Sequence, residues 1–344
     1  FHKCDETTQA GLLASRKTEW QKWKEFNAGT LVRGPELKKL LDQGHKPIPL
    51  QWVDVDKNEH MRRHGGEYVA PCYKSRLVSR GDLETGTEEL RTDSPTADLE
   101  ALNLLMSWAS SKRLRLKGGD ISNAYFQGKP LDRLLLLRPP PGGLQDPDVD
   151  SDTMIVARVP IYGTKDAGRG FWRQLREDIL ATGLRENAIM KALYHMQVDG
   201  QVVFMLATHV DDMLWASAPG YEHIAGRLLE KFSIKKVEEG TFRFCGREIR
   251  QTDDGSITVK CKDNAEKVQP ITYEKRGRRD TDDATDSEIS QLRSVIGSLS
   301  WVARQCRPDL SYRVSKLQSL CTRARLKIFR RPTKLCETQL RDPI

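Results

Sequence analysis

Apolar residues recur along this chain with two periods, and the switches between them mark out its elements. Leu12, Leu13, Trp20, Trp23 and Phe26 fall at near-helical spacing, which predicts a helix over residues 5–27 ended by Ala28-Gly29. Leu50 to Lys57 and Tyr68 to Arg80 read as two strands around a charged turn containing Gly65-Gly66. Arg62, Arg63, Lys74, Arg76 and Arg80 make that hairpin basic. A helix from Pro95 to about Ser110 and a strand from Leu114 to Asp120 follow. Ser122 can cap a short helix reaching Gln127. The Pro-rich stretch Arg138 to Gly143 and the acidic run Asp146 to Asp152 form a loop.

Beyond the loop, residues 153–161 read as a strand and 164–183 as a helix stopped at Gly183. Strands at 192–198 and 201–209 are joined by Asp199-Gly200, a two-residue turn signal. A strand from Met213 to Ala218, a helix over 221–232, and a hairpin of 241–250 with 256–261 around Asp254-Gly255 come next. Lys275 to Asp286 reads as a charged linker, followed by helices at about 287–304 and 308–322. Hairpin turns join most neighbouring strands, and no repeat is present. The pattern predicts an α+β fold with a largely antiparallel sheet, and residues 114–218 have the layout of a split βαβ domain.

Composition narrows the classes. A chain of 344 residues allows two or three domains. Its 38% hydrophobic and 30% charged residues describe a polar globular protein. The longest apolar run, Val202 to Ala207, is too short to cross a bilayer, so no membrane partner is expected. The N-terminus has neither an apolar signal core nor an initiator Met, as expected of a piece of a longer polyprotein. Seven cysteines without a C-x-x-C pair predict reduced intracellular thiols. His60 and His64 with Cys72 lack a fourth zinc ligand at finger spacing. The formal charge of +8 points to an anionic partner such as nucleic acid. Residues 304–344 hold 11 basic and 3 acidic side chains, so this segment carries the whole excess.

The candidate chemistry lies in VVFMLATHVDDMLWASA, Val202 to Ala218. Asp211 and Asp212 interrupt two apolar strands with no Gly, Asn or Pro to make the turn. Asp253-Asp254, by contrast, is followed by Gly255, and Asp282-Asp283 sits in the charged linker. An ordinary acidic turn remains the plain alternative. Asp120 ends another strand, where it could equally be a capping aspartate. Three carboxylates converging on one sheet edge would repel unless a cation neutralised them, and hard oxygen ligands suit Mg²⁺. Two such ions, about 3.5–4 Å apart, would clamp an in-line phosphoryl displacement.

On these residues the chain resembles the reverse transcriptase of copia-type LTR retrotransposons, over about Glu19 to Ser319. YKSRLVSRG (Tyr73 to Gly81) is similar to the fingers motif, and DISNAYFQG (Asp120 to Gly128) to the first catalytic motif. IYGTKDAGRGFW (Ile161 to Trp172) is similar to the template-and-nucleotide motif and HVDDML (His209 to Leu214) to the catalytic dyad motif. FCGREI (Phe244 to Ile249) resembles the segment after the palm, and Val295 to Val314 the late block. The resemblance implies a right-hand polymerase with a ferredoxin-like palm, fingers and a partial helical thumb. It divides the chain into an N-terminal helical segment (1–49), fingers (50–112), palm (113–240), the end of the palm with the thumb or connection (241–322), and a divergent basic tail (323–344).

The implied activity is RNA-directed DNA synthesis on an RNA template and DNA primer, consuming deoxynucleoside triphosphates. Asp120, Ile121, Asp211 and Asp212 would form the metal set for two Mg²⁺ ions, with Mn²⁺ as an alternative. Lys74 and Arg76 alternate on one strand and would receive the triphosphate. Tyr125 would pack under the sugar and exclude a 2′-hydroxyl. Gly163 and Lys165 would complete the nucleotide site, and His209, Arg169 and Gly246 would meet primer or template. The ribonuclease H and integrase parts of a parent polyprotein are expected but absent. The expected location is intracellular, and cytoplasmic in a virus-like particle for an active element.

Several positions depart from the family pattern. His209 stands where Tyr is usual, Asp166 adds negative charge where Gln is usual, and Gly168 replaces Pro. Gly118-Gly119 precede Asp120 where bulkier residues are expected, which predicts a loosened backbone. After Ser319 the resemblance fades, as in a truncated copy. A catalytically silent remnant that binds nucleic acid, or another two-metal nuclease, is the alternative.

Overall fold

The computed structural model of the chain describes residues 4–62, 69–266, 268, 271–272, 277–321 and 324–329. Arg63, His64, Gly65-Gly66, part of the charged linker and most of the basic tail lie outside the described residues. The chain opens with α1 (Glu6–Glu25), β1 (Gly29–Val32), α2 (Gly34–Asp42), β2 (Ile48–Asp56), α3 (Glu59–Arg62) and β3 (Tyr73–Ser79). It continues through α4 (Leu99–Ser111), β4 (Leu116–Ile121), a 3-10 turn (Ala124–Gln127), β5 (Leu136–Arg138), β6 (Met154–Ala157) and α5 (Ala167–Ala181). Then come β7 (Arg185–Glu186), β8 (Leu193–Val198), β9 (Gln201–His209), β10 (Asp212–Ser217), α6 (His223–Lys231) and β11 (Ile234–Glu239). The last elements are β12 (Thr241–Phe244), β13 (Arg247–Gln251), β14 (Ile257–Lys260), α7 (Lys262–Glu266), α8 (Asp286–Gln305) and α9 (Ser311–Gln318).

The fold is α+β, as expected. A six-stranded antiparallel sheet in the order β11-β4-β10-β9-β8-β7 forms its centre. Around it, β4, α5, β9, β10, α6 and β11 occur in the order of a split βαβ unit, with β5 and β6 inserted before α5 and β7 and β8 after it. β9 and β10 each carry an apolar run without polar alternation because both faces of this sheet are covered. Phe204, Leu206, Met213 and Trp215 meet Phe171, Leu175 and Ile179 of α5 and Ile224 and Leu228 of α6. The alternate residues Met205, Ala207, Leu214 and Ala216 meet Leu102, Leu105 and Ala109 of α4 and Phe242, Phe244 and Ile249 from the three-stranded sheet β12-β13-β14.

A second sheet, β1-β6-β5-β2-β3, carries the basic strand pair. Trp20 and Trp23 of α1 pack on it with Leu50, Leu77, Phe126 and Ile155. Residues 1–49, expected as a helical segment, therefore also contain β1, which pairs with β6. Helices α8 and α9 form a separate cluster around Leu292, Ile296, Leu299 and Val314.

Several local expectations need correction. The strand expected over 241–250 is two, folded at Cys245-Gly246 with both residues at positive φ (+47° and +76°). That is the backbone of a tight hairpin turn, and Gly is present only at its second position. Ser122 does not cap the 3-10 turn, whose N-cap is Asn123 in the left-handed region. The helix expected from Pro95 starts at Leu99, where Asp98 accepts from the Ala101 N–H at 2.7 Å. The short strands β1, β5, β7 and β11 and helix α2 have no periodicity long enough to read.

The expectation of reduced thiols also fails at one pair. Cys261 and Cys306 form a disulfide across 45 residues, with Cα atoms 6.3 Å apart. Folding brings the end of β14 beside the C-cap of α8, a proximity that cysteine spacing alone does not encode. Cys4, Cys72, Cys245 and Cys321 are free thiols. Among the described residues no helix is long and apolar enough to cross a membrane.

The start of α8 yields a stability prediction. Glu288 and Thr285 form a reciprocal capping box, and Arg278 adds a two-point ion pair to Glu288 at 2.6 and 3.0 Å. The Arg278 guanidinium holds the Glu288 carboxyl down at about 2, from an ordinary value of 4.5. A depressed folded-state value stabilises above the ordinary range and is lost as pH falls towards the folded value. Glu288→Ala should cost about 2 kcal/mol in denaturant unfolding near neutrality. The gap to wild type should narrow as pH drops from 4.5 towards about 2.

Candidate active site

The site is assembled by strand register. β4 and β10 pair antiparallel with Asp120 directly opposite Asp212, which in turn faces His209 across the β9–β10 hairpin. The backbone N–H of Ile121 donates to the Asp211 carbonyl at 2.8 Å, tying the hairpin tip to the end of β4. The turn itself is Val210-Asp211, so Asp212 belongs to the strand rather than to the turn. Of the two turn residues only Val210 takes a positive φ, +56°. A turn of this kind favours Gly at that position, and a β-branched side chain there stores strain.

The electrostatics follow from this crowding. Burial, then the charges of Asp211 and Asp120, push the Asp212 carboxyl up to about 6. The Cys245 thiol lies against it, donating to Oδ2 at 3.7 Å. Burial and the Asp212 charge push that thiol up to about 12, so it remains a protonated donor. Among the described residues no group of three His, Cys, Asp or Glu side chains forms a ready ligand cage. Mg²⁺ does not need one, since it is usually held by one or two carboxylates plus waters and substrate phosphates. Asp120 and Asp211, with a mutually repelling Asp212 beside them, have the donor chemistry that suits such an ion.

Beside the carboxylates opens a cleft of about 260 Å³ lined by Arg76, Ala124, Tyr125, Tyr162, Val210 and Asp211. The Arg76 guanidinium lies 4.2 Å from the centre of the Tyr162 ring, and the Tyr125 ring lies tilted by 57° against Tyr162 with centroids 4.9 Å apart. Burial and the Asp211 charge push the Tyr125 hydroxyl up, keeping it protonated. The structure therefore brings Asp120, Ile121, Asp211, Asp212, Arg76, Tyr125 and His209 into one neighbourhood. Lys74 shares the Arg76 side of β3, opposite buried Ser75 and Leu77, but does not line the cleft.

Other expected site residues have different partners. Lys165 donates to the Thr87 hydroxyl at 2.5 Å and the Glu84 carbonyl at 3.2 Å. Arg169 pairs with Asp93 at 2.6 Å and lies over Trp172. Gly163, at φ +91°, passes so close to β3 that a Cβ would stand 2.1 Å from the Ser79 carbonyl. Gly246 forms the β12–β13 turn and accepts from Asn264 at 3.0 Å. The charge expected from Asp166 is answered by Arg133, at 2.6 and 3.0 Å. Gly118 and Gly119 lie where aromatic rings approach β4. A Cβ on Gly118 would meet the Phe242 ring at 2.7 Å, and one on Gly119 the Trp215 ring at 3.3 Å. Sequence reasoning missed Tyr162 and Cys245. Tyr162 could have been found as the aromatic inside the quoted nucleotide motif, whereas Cys245 reaches Asp212 only through the hairpin fold.

A model of the reverse transcriptase (RNA-dependent DNA polymerase) family matches residues 37–272. The chain is 26% identical over 267 residues to the retrovirus-related Pol polyprotein from transposon RE2 of Arabidopsis thaliana, covering 71% of this chain and 17% of that protein. The corresponding polyprotein from transposon RE1 is 26% identical over 259 residues, with the same coverage of 71% and 17%. The putative transposon Ty5-1 protein of Saccharomyces cerevisiae is 24% identical over 213 residues, 58% of this chain and 67% of that one. The chain thus spans 17% of the length of the Arabidopsis polyproteins. Among solved structures, telomerase from Candida albicans in complex with a fragment of telomeric RNA aligns with a TM-score of 0.41 and 10% identity, over 94% of this chain and 65% of that one.

The close approach of β4 to its neighbours is testable. Gly118→Ala should destabilise the protein by about 1–3 kcal/mol, because the Phe242 ring is buried and has nowhere to move. Gly119→Ala, with its longer contact, should cost less in the same thermal or denaturant unfolding experiment.

Proposed function

The chain belongs to the reverse transcriptase (RNA-dependent DNA polymerase) family, and from that premise we propose that it extends a DNA primer on an RNA template as part of a retrotransposon polyprotein. The observation that carries the proposal is the register of β4 against the β9–β10 hairpin. It sets Asp120 opposite Asp212 and beside Asp211, which lines a cleft together with Arg76, Tyr125 and Tyr162.

Each residue then has a task. Asp120 and Asp211 would hold the metal ions, with the Ile121 backbone beside them and Asp212 as a supporting carboxylate. Two Mg²⁺ ions bound there would activate the primer 3′-hydroxyl and neutralise charge on the α-phosphate and the departing pyrophosphate. Arg76 would receive the triphosphate, its guanidinium oriented by the Tyr162 face. Tyr125, held by its tilted ring contact with Tyr162, would form the floor under the sugar. Asp166 would add no repulsion at the nucleotide, because Arg133 already neutralises it. The ribonuclease H and integrase activities would belong to other parts of the parent polyprotein. Catalysis in such a site is positioning and charge neutralisation rather than proton relay.

Primer extension on an RNA template with deoxynucleotides and Mg²⁺ tests the proposal. Asp120→Asn or Asp211→Asn should lower extension by about a thousandfold. Unchanged Mg²⁺-dependent extension in either variant would sink the assignment. Template binding by wild type without any extension would leave the silent remnant. Tyr125→Ala should admit ribonucleotides, lowering discrimination by about tenfold or more in competition assays. Unchanged sugar selectivity would remove Tyr125 from that role.

A further inference from the structure

Helix α1 lies wholly outside the segment that matches the family, yet ring contacts join its inner face to the wall of the cleft. Leu12, Glu19, Trp20 and Trp23 form that buried face. Trp23 packs edge-on against Phe126 at 5.6 Å, and Phe126 packs against Tyr162 at 6.0 Å. Tyr162 carries Arg76 on its ring. Only aromatic layers therefore separate α1 from the wall of the cleft.

Glu19 is the anomaly on this face. It is a carboxylate with 3% of its surface exposed, on the side of the helix that should be apolar. Lys22, 3.6 Å away on the same helix, is its nearest cation. Among the described residues its Oε1 has no hydrogen-bond partner. Burial raises its carboxyl above the ordinary value, and the charges of Lys22, Arg76 and Lys74 offset part of that rise. Electrostatic interaction is mutual, so the charge that Arg76 and Lys74 lend to Glu19 is charge they present less strongly to the cleft. The field of Glu19 also reaches Tyr162. Half-buried charges are weakly screened, so this influence persists at ordinary salt.

We propose that Glu19 is a positioning residue for the nucleotide cleft, a buried counter-charge behind Lys74 and Arg76 that weakens their hold on triphosphate and pyrophosphate. The inference rests on the reading of that cleft as the nucleotide site. Its use would be turnover, since a pyrophosphate gripped too firmly by Arg76 would leave slowly. The sign separates this role from a structural one. Loss of a merely structural buried carboxylate disorders the cleft and weakens binding. Loss of a counter-charge strengthens the binding of a polyanion.

Calorimetric binding of dTTP with Mg²⁺, and of pyrophosphate, to the full chain tests the inference. Glu19→Gln, which keeps the shape and removes the charge, should tighten both by about 3- to 10-fold. Glu19→Asp should bind as wild type does, and in an Arg76→Gln background the effect of Glu19→Gln should shrink. Unchanged or weaker binding in a folded Glu19→Gln protein would overturn the inference. Should that variant fail to fold, Lys22→Gln decides. Stripping the near cation leaves Glu19 less balanced and should weaken binding about twofold, and unaltered affinity would overturn the proposal. A wild type that binds dTTP without the Glu19→Gln effect sinks only this inference. A wild type that binds no dTTP sinks the nucleotide reading of the cleft and this inference with it.

Discussion

Three carboxylates crowded at one sheet edge repel each other, and the rest of the structure can be read as what holds them there. Strand register brings Asp212 opposite Asp120, and a single backbone hydrogen bond from Ile121 to Asp211 closes the third side. Burial, with the charges of Asp211 and Asp120 added to it, raises the Asp212 carboxyl to about 6. The restraint comes from apolar burial on both faces of the sheet. Helices α5 and α6 cover one face, and α4 with the three-stranded sheet covers the other. A strand buried on both sides cannot slip by one residue without turning its whole set of side chains over. The register that collects the carboxylates is thus fixed by Leu206, Met213, Leu214 and Trp215, none of which touches the chemistry.

The cleft depends on a second, aromatic restraint. Trp20, Trp23, Phe126, Tyr162 and Tyr125 form a chain of ring contacts from the N-terminal helix to the carboxylates. Rings hold position at low entropic cost, since each has two side-chain torsions. Arg76 ends this chain, with its charge over a ring face instead of on a carboxylate partner at contact distance. Cations elsewhere around the site are committed. Lys165 is held by the loop at Glu84 and Thr87, Arg169 by Asp93, and Arg133 by Glu84 and Asp166. Much of the basic character near the site therefore braces loops instead of facing the cleft.

How much of this was legible in the sequence depended on the range of the signal. The β8–β9 hairpin was readable because Asp199-Gly200 encodes its turn within two residues, both at positive φ. The two-sided burial of β9 and β10 was readable from an unbroken apolar run. Asp211 and Asp212 stood out because apolar strands flanked them, and resemblance extended that reading to Arg76 and Tyr125. The β12–β13 turn was missed because Cys245 is an unusual residue for a positive φ. The Cys261–Cys306 pairing was missed because 45 residues separate two thiols with no local pattern. The partners of Lys165 and Arg169 were not legible for a related reason. A motif gives residue types in order, but side-chain direction is settled by partners such as Asp93 and Thr87 from distant segments.

Gly118, Gly119 and Asp166 show the same point from the opposite side. Read one at a time, each weakens a site: two flexible residues before Asp120 and an extra negative charge near the nucleotide. In three dimensions each has a matching neighbour. The space a Gly118 side chain would fill belongs to the Phe242 ring, and that beside Gly119 to the Trp215 ring. Both rings are buried, so the missing side chains are replaced by aromatic packing that presses β4 against its neighbours. Asp166 sits in a two-point pair with Arg133, which also binds Glu84 and so ties the α5 end to the loop after β3. Departures that decay had scattered at random would leave cavities and uncompensated charge beside the carboxylates. These three instead meet their counterparts at contact distance, and Gly118 and Gly119 let the strand bearing Asp120 pack directly on the Phe242 and Trp215 rings.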